Sequence, residues 1–139
     1  MHVEVEQACR APAATVWRLL ADLPQWPTWT DSMTAVTLLE PGQLHVGTRA
    51  RVEQPGLRPL VWTVTDLETD RRFCWQAKMP GMRLVADHLI VPGKQIRLTL
   101  DVSGPLTFLA RRAYGARIEE YVHMEARGLA AAAEHAAKA

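Results

Sequence analysis

Cysteine and long apolar runs are scarce in this sequence. The two cysteines, Cys9 and Cys74, have no paired spacing and no adjacent histidine, so neither a zinc site nor a disulfide framework is expected. No run of about 18 apolar residues is present, and no basic N-terminal region precedes an apolar one. We therefore expect a soluble, cytoplasmic protein with both thiols reduced.

A surplus of one charge is lacking as well. The chain carries 16 Lys and Arg residues against 15 Asp and Glu residues, and it has no block of like charges. Such a balance does not predict the basic surface that binds nucleic acid or an anionic membrane. We expect a small hydrophobic or amphipathic partner, no nucleic acid and no membrane insertion, for a protein that is a monomer or a homodimer.

Signatures of common catalytic and cofactor sites are also missing. No Gly-x-Ser-x-Gly motif occurs, and neither Val46-Gly47-Thr48 nor Pro80-Gly81-Met82 follows a strand into a helix as a phosphate-binding loop does. The spacings of the five histidines match no metal site. We therefore predict no metal, no nucleotide and no other cofactor.

The residues that are present suit one domain spanning residues 1–139. Hydrophobic residues make up 48% of the chain, which at this length fits one sizeable core. Residues 1–10 alternate between apolar and polar, which predicts a half-buried strand. A helix is predicted from Pro12 to Asp22, and two prolines then allow only a short helical turn at residues 23–29.

Regularly spaced turn residues divide the middle of the chain. Pairs such as Pro41-Gly42, Pro55-Gly56 and Pro80-Gly81 separate segments of about 8 to 12 residues. Consecutive strands joined by such turns pair antiparallel, and a sheet of this kind commonly buries one face. Six strands are predicted, at residues 32–40, 46–54, 59–67, 72–79, 83–91 and 95–103.

The last quarter of the chain has the composition of a long amphipathic helix. Residues 105–137 are rich in Ala, Leu, Arg and Glu, and Ile118, Val122 and Leu129 recur at helical spacing. Before Gly115 the apolar stripe is turned by about a third of a revolution. We therefore predict a break or kink near Gly115, with the first helical segment able to move against the rest.

Together the elements predict an α+β fold of order β-α-α-β-β-β-β-β-β-α. A twisted antiparallel sheet that curls around the final helix buries the apolar surfaces of both. The predicted architecture is therefore a seven-stranded antiparallel sheet curved around a long C-terminal helix.

Several segments resemble one protein family. With the element order, they are similar to the polyketide cyclase/dehydrase-like (SRPBCC) branch of the START/Bet v 1-like superfamily over essentially the whole chain. The resemblance implies the helix-grip fold, with a hydrophobic cavity between sheet and C-terminal helix. It transfers no catalytic residues, because the superfamily shares no short catalytic signature. The segments are Ala11-Pro12-Ala13-Ala14-Thr15-Val16-Trp17, Trp26-Pro27-Thr28-Trp29, Val46-Gly47-Thr48, Trp62-Thr63-Val64 and the run from Tyr121-Val122 to Leu129.

Nine side chains are candidates for contact with a ligand in such a cavity. The tryptophans of the short helical turn would flank its mouth, where aromatic rings can stack on a flat ligand, or they would wedge that turn onto the sheet. The aromatic residues on the inward face of the strands would either line the cavity or fill the core. The candidates are Trp26, Trp29, Met33, Trp62, Phe73, Trp75, His88, Tyr121 and Glu125.

Two of these candidates could carry out proton transfer. His88 is in register with Leu84 and Ile90, so it points inward, and the pKa of histidine lies closest to neutrality. Glu125 lies in the middle of the apolar stripe, where a carboxylate must be paired, be protonated or reach the cavity. Each residue is either a structural anchor or a catalytic group, and the sequence leaves both alternatives open.

Three functions are compatible with this sequence. The first is binding of a small hydrophobic or aromatic ligand of polyketide, lipid or isoprenoid type. The second is a polyketide cyclase/dehydratase that uses the same cavity, with His88 or Glu125 moving protons. The third is a packed domain without a ligand. An enclosed cavity of about 300 Å³ or more with His88 and Glu125 both exposed to it would favour catalysis, a wholly apolar cavity would favour carriage, and no cavity would favour the third function.

Overall fold

The computed structural model describes residues 1–138. One antiparallel sheet holds seven strands in the spatial order β1-β7-β6-β5-β4-β3-β2. The elements are β1 (His2–Ala8), α1 (Ala13–Ala21), a 3₁₀ helix (Leu23–Thr28), β2 (Ala35–Leu38), β3 (Arg49–Glu53), β4 (Leu60–Glu68), β5 (Arg72–Met79), β6 (Met82–Val91), β7 (Gln95–Ser103) and α2 (Thr107–Ala137). The predicted helix-grip fold and its element order are confirmed.

The first two strands of the meander are shorter than predicted. β2 begins at Ala35 rather than at residue 32, because the hydroxyls of Thr30 and Ser32 bond to each other within a turn. β3 begins at Arg49 rather than at residue 46, because Gly47 has a φ of 100° and the Thr48 N–H donates to the His45 carbonyl. Positive φ at glycine turns the chain there, so it cannot extend into the strand.

The inward face of the sheet follows the predicted alternation. In the β4–β5 pair Trp62 lies opposite Ala77 and Val64 opposite Trp75. In the β5–β6 pair Phe73 lies opposite His88, so the imidazole also belongs to the inward face, where it is 3% exposed. A large part of this face is covered by helices, as expected for an antiparallel sheet with one buried side.

The C-terminal half of α2 holds the helix against the rest of the fold. Its buried residues are Val122, Ala126, Leu129, Ala130 and Ala133. Close approach depends on Gly128, because a Cβ there would lie 1.9 Å from the Trp29 carbonyl oxygen. Only a residue without a side chain lets the helix pack so tightly on the backbone after the 3₁₀ helix.

The predicted break near Gly115 is wrong. α2 is one continuous helix from Thr107 to Ala137. A change in the phase of the apolar stripe requires a break only if both segments pack on the same surface. No residue from Thr107 to Tyr121 is buried, so the first half of α2 follows the axis that the second half sets.

No helix within residues 1–138 combines the length and the apolarity needed to cross a membrane.

Candidate functional site

A cavity of about 440 Å³ lies between the sheet and the first half of α2. Its inner wall comes from strands β3 to β7, and its outer wall from one face of α2, including Ala113, Ile118 and Val122. The cavity exists because the early turns of α2 stand away from the sheet while the later turns pack on it. The volume is within the range of about 300–1,000 Å³ that is typical of ligand sites.

Six of the nine candidate residues lie on the cavity wall, and three do not. Those on the wall are Met33, Trp62, Trp75, His88, Tyr121 and Glu125. Trp26, Trp29 and Phe73 lie instead in the packed core. The aromatic rings therefore divide into two groups. Trp62 and Trp75 line the cavity, while Trp26 and Phe73 fill the interior behind it.

The core placement of Trp26 has a clear cause. Its indole Nε1 donates to the Leu20 carbonyl at 3.1 Å, which turns the ring away from the mouth and into the interior. The ring centroid lies 4.9 Å from that of Trp75 and 5.6 Å from that of Phe73. Trp29 follows at 5.3 Å from Trp26. These rings pack the 3₁₀ helix onto the sheet, which is the second of the two roles considered for the tryptophans of the short helical turn.

The polar centre of the cavity wall is a hydrogen-bonded pair of His88 and Glu125. His88 Nε2 lies 2.6 Å from Glu125 Oε1, and His88 Nδ1 lies 3.1 Å from the Phe73 carbonyl oxygen. A carbonyl oxygen only accepts hydrogen bonds, so Nδ1 carries a proton and donates it. The remaining contact therefore holds one proton between an imidazole and a carboxyl group.

Charge favours the ionised form of this pair. Burial lowers the pKa of His88, but the Glu125 carboxylate and the Phe73 carbonyl raise it by more, so the pKa of His88 lies above its ordinary value of 6.5. An imidazolium that donates to a carboxylate forms a charge-assisted hydrogen bond, which is among the stronger kinds in proteins. The Glu125 side chain, 13% exposed, is then held as a carboxylate at the wall.

This geometry assigns different capacities to the two residues. Both ring nitrogens of His88 are occupied, so the imidazole cannot contact a ligand without breaking a bond. Glu125 uses Oε1 for His88, and its Oε2 has no protein partner among the described residues. The atom that can accept a hydrogen bond or a proton from a ligand is therefore Glu125 Oε2. The sequence marked both residues as polar groups on apolar faces, but gave no sign that they pair across 37 residues.

Contacts between α2 and the loop after β3 close one side of the cavity. The Tyr121 hydroxyl donates to the Pro55 carbonyl, and Arg117 donates to the Gly56 carbonyl at 3.1 Å. Tyr121 therefore contributes its ring to the wall, while its hydroxyl joins α2 to the loop. Neither contact was visible in the sequence, where Pro55-Gly56 indicated only a turn.

The mouth of the cavity contains residues that the sequence analysis did not single out. They come from the loop after β3, the β5–β6 hairpin and the first turns of α2. Arg58 is the cation among them, and it forms no ion pair with any described residue. The remaining mouth residues are Gln54, Leu57, Met79, Met82, Leu106, Leu109, Ala110 and Tyr114.

The two thiols lie apart from this site. Cys9 and Cys74 are free and buried, and burial raises the pKa of each above its ordinary value. A protonated, buried thiol is a poor nucleophile and a poor metal ligand. Within residues 1–138 no three His, Cys, Asp or Glu side chains converge as a metal site would require.

A curved sheet, a gripping C-terminal helix and an apolar cavity between them define the helix-grip class of proteins. The chain belongs to the family described as polyketide cyclase/dehydrase and lipid transport, whose profile matches residues 1–134. This confirms the resemblance to the polyketide cyclase/dehydrase-like branch of the superfamily. A comparison with the curated proteins finds no match.

Solved structures share this fold at low sequence identity. The Zhui aromatase/cyclase from Streptomyces sp. R1128 superposes with a TM-score of 0.79 at 22% identity, over 97% of this chain and 94% of that one. TTHA0849 from Thermus thermophilus gives 0.77 at 18% identity, over 98% and 99%. StfQ, a di-domain ARO/CYC from the steffimycin biosynthetic pathway, gives 0.80 at 10% identity, with 99% of this chain matching 52% of that protein. At these identities the likeness establishes the fold alone.

Proposed function

We propose that this protein binds a small, flat, largely hydrophobic ligand of polyketide, lipid or isoprenoid type in the cavity under α2. The observation that carries the proposal is an apolar cavity of about 440 Å³ with the His88–Glu125 pair on its wall. A packed domain without a ligand would not be expected to leave this volume open, because protein interiors are normally filled to crystal-like density.

The preference for a flat ligand rests on two indoles. Trp62 and Trp75 have ring centroids 5.4 Å apart and planes inclined by 32°, so they form one aromatic wall. Aliphatic side chains of β6, β7 and α2 form much of the remaining surface. A ring system that lies against the indoles gains both burial and stacking, worth about 0.5–1.5 kcal/mol beyond burial for each aromatic pair.

A hydrogen-bond donor on the ligand would complete the site. Glu125 Oε2 is a carboxylate oxygen on an otherwise largely apolar wall, and it favours a hydroxyl or enol group at that point. A bond to a charged acceptor is worth about 1.5–3 kcal/mol. We therefore expect hydroxylated aromatic compounds to bind more tightly than their unsubstituted analogues.

Binding can be tested with two tryptophan substitutions on α2. Ala113 lines the cavity, whereas Ala116, three residues later, does not. Ala113→Trp should fill the cavity and weaken the binding of a flat hydrophobic probe such as a hydroxynaphthalene by at least about tenfold, measured by equilibrium dialysis. Ala116→Trp, the matched control, should bind as the wild type does. No binding of any flat probe to the wild type would refute the proposal.

A cyclase or dehydratase is the second candidate, and the His88–Glu125 pair favours it. Glu125 Oε2 would remove a proton from a carbon between two carbonyls of a bound polyketone. The resulting enolate would attack a ketone of the same molecule, forming a carbon–carbon bond, and the new alkoxide would take the proton back. Loss of water from the aldol would follow. His88 would be a positioning residue that holds the carboxylate.

Glu125→Gln separates the two candidates. The amide keeps the shape of the side chain but is not a base, so a cyclase should lose at least about a hundredfold in kcat. Its KM for a diketone should change by less than about fivefold, because a diketone has no hydroxyl to donate to Glu125 and the apolar wall is intact. Chromatography of the products from a diketone surrogate provides the measurement. A wild-type protein that binds the surrogate without converting it is a carrier.

A further inference from the structure

The charges of this protein are unevenly distributed around the cavity mouth. Three segments surround the mouth, at residues 54–59, 76–86 and 103–118, and none of them contains Asp or Glu. They carry six cations, while the rest of the chain has ten Lys and Arg residues against fifteen acidic ones. The six are Arg58, Lys78, Arg83, Arg111, Arg112 and Arg117, called here the mouth cations. The net charge of +1 therefore hides a positive end and a negative remainder.

The mouth cations have no acidic partner within residues 1–138, although Arg83 donates to the Gln76 side chain and Arg117 to the Gly56 carbonyl. All six are exposed, and none forms an ion pair within residues 1–138. Acidic residues that border the segments are engaged elsewhere: Glu53 lies 3.5 Å from Arg51, and Asp87, which lines the cavity, lies 2.9 Å from Arg72. Glu120 lies 3.1 Å from Arg127. Glu119 lies just beyond the third segment and is exposed. Such a surface attracts anions and is not neutralised from within.

Large apolar side chains are exposed at the same end. Leu106, Phe108, Leu109 and Tyr114 are 42%, 66%, 51% and 46% exposed, and they are four of the seven large hydrophobic residues exposed in the described chain. Phe108 is the most exposed of all seven and does not line the cavity. Its ring therefore serves neither the core nor the ligand site.

Helical spacing places the ring beside the cations. Residues three and four apart lie on one face of a helix, so Phe108 is next to Arg111 and Arg112 on the outer face of α2. Leu109 and Ala113, about 100° and 140° around the helix from Phe108, line the cavity. A protruding apolar ring with cations beside it offers the two contributions on which interfacial binding depends, buried apolar area and electrostatic attraction to anionic lipid.

We propose that the mouth end, with Phe108 as its apolar anchor, docks on a membrane surface rich in anionic lipid. Phe108 would enter the boundary between headgroups and acyl chains, and the mouth cations would contact lipid phosphates. A membrane surface suits this end because it requires no shape complementarity, only protruding apolar groups with exposed cations around them. The proposal goes beyond the ligand-binding function, and its test requires no ligand.

Sedimentation with vesicles tests the proposal. Vesicles of phosphatidylcholine that contain about 40 mol% phosphatidylglycerol should bind the protein, and vesicles of pure phosphatidylcholine should not. Binding should fall in 1 M salt, where the Debye length is only about 3 Å. Equal sedimentation with both kinds of vesicle, or with neither, would overturn the proposal. Binding of an acidic protein at this face in place of vesicles would overturn it as well.

Substitutions locate the surface. Arg111→Glu/Arg112→Glu should weaken binding to the anionic vesicles by at least about tenfold, and Phe108→Ser by about tenfold, whereas Arg111→Lys/Arg112→Lys should retain it. The matched control is Arg10→Glu/Lys94→Glu, which reverses two exposed cations that also have no ion pair among the described residues and lie just after β1 and just before β7, at the other end of the sheet. If the control pair lost binding as strongly as the α2 pair, adsorption would depend on total charge and the docking surface would be refuted. Circular dichroism verifies that each variant is folded.

Discussion

The two halves of α2 differ in what surrounds them, although one continuous helix contains both. From Val122 to Ala133 the helix buries five side chains and approaches the backbone at Trp29. From Thr107 to Arg117 it buries none, and it carries three arginines and no acidic residue. The second half stabilises the fold, whereas the first half forms the outer wall of a cavity. A single rigid helix can therefore hold a space open, because one end is fixed by packing and the other is not.

The largest expected effect compares one leucine from each half. Leu129 is 0% exposed and Leu109 is 51% exposed. Leu129→Ala should lower the free energy of unfolding by about 2–5 kcal/mol, because it leaves a cavity in the core. Leu109→Ala should change it by less than about 0.5 kcal/mol, as surface substitutions usually do. Urea unfolding measures both, and equal losses would contradict the proposed division of the helix.

The next effect concerns the close approach at Gly128. Alanine there would place its Cβ 1.9 Å from the Trp29 carbonyl oxygen and 3.0 Å from the carbonyl carbon. The helix or the backbone after the 3₁₀ helix must shift, at a cost of about 1–3 kcal/mol. Gly128→Ala should therefore lower the melting temperature despite the higher helix propensity of alanine. An unchanged melting temperature would show that the buried half of α2 is loosely packed.

The His88–Glu125 pair lies where the two halves meet. The pKa of His88 is raised in the folded protein, so its contribution to stability is fully present below pH 6.5 and is lost as the pH rises through the raised value. Glu125→Gln removes the carboxylate and leaves the burial, so the pKa of His88 should fall. The wild type should be more stable than this variant by about 1–2 kcal/mol near pH 6, and the difference should shrink above the raised pKa.

Titration of the imidazole by NMR at a series of pH values measures the pKa of His88 directly. If the pKa of His88 is the same in Glu125→Gln as in the wild type, the Glu125 carboxylate is not the group that raises it. If the pKa of His88 lies below 6.5 in the wild type, His88 and Glu125 do not form an ion pair, and the assignment of Glu125 as a carboxylate at the cavity wall is wrong.

The fold could be predicted from the sequence because its signals are local. Turn residues such as Pro80-Gly81 and the alternation around Trp75 need no knowledge of distant neighbours. The site could be predicted only in part. Trp26 and Trp75 are both candidates for ligand contact in the sequence, yet the bond from Trp26 to the Leu20 carbonyl turns one ring into the core while the other reaches the cavity. That outcome depends on three-dimensional packing.

The error at Gly115 has the same origin. The change in the phase of the apolar stripe is a real property of the sequence, but it reports a change in surroundings, from core to cavity and solvent. A helix breaks where packing competes with its hydrogen bonds, and nothing packs on the first half of α2 strongly enough to compete. A change in the phase of the apolar stripe, in a segment with high helix propensity, can therefore indicate the edge of a cavity.

The smallest expected effect tests this explanation. Gly115 has helical geometry, and a Cβ there would meet only Arg111 Cγ, at the ordinary contact distance of 3.6 Å. Gly115→Ala should therefore raise the free energy of unfolding by about 0.5–1 kcal/mol through helix propensity alone. Ligand binding should be unchanged, because the residue does not line the cavity. If Gly115→Ala instead impaired the entry of a ligand, measured by stopped-flow fluorescence, the first half of α2 would have to bend at Gly115 for the cavity to open. Glycine to alanine would then have opposite effects on stability at two positions of α2. At Gly115 it would stabilise the fold and slow ligand entry, whereas at Gly128 it would destabilise the fold.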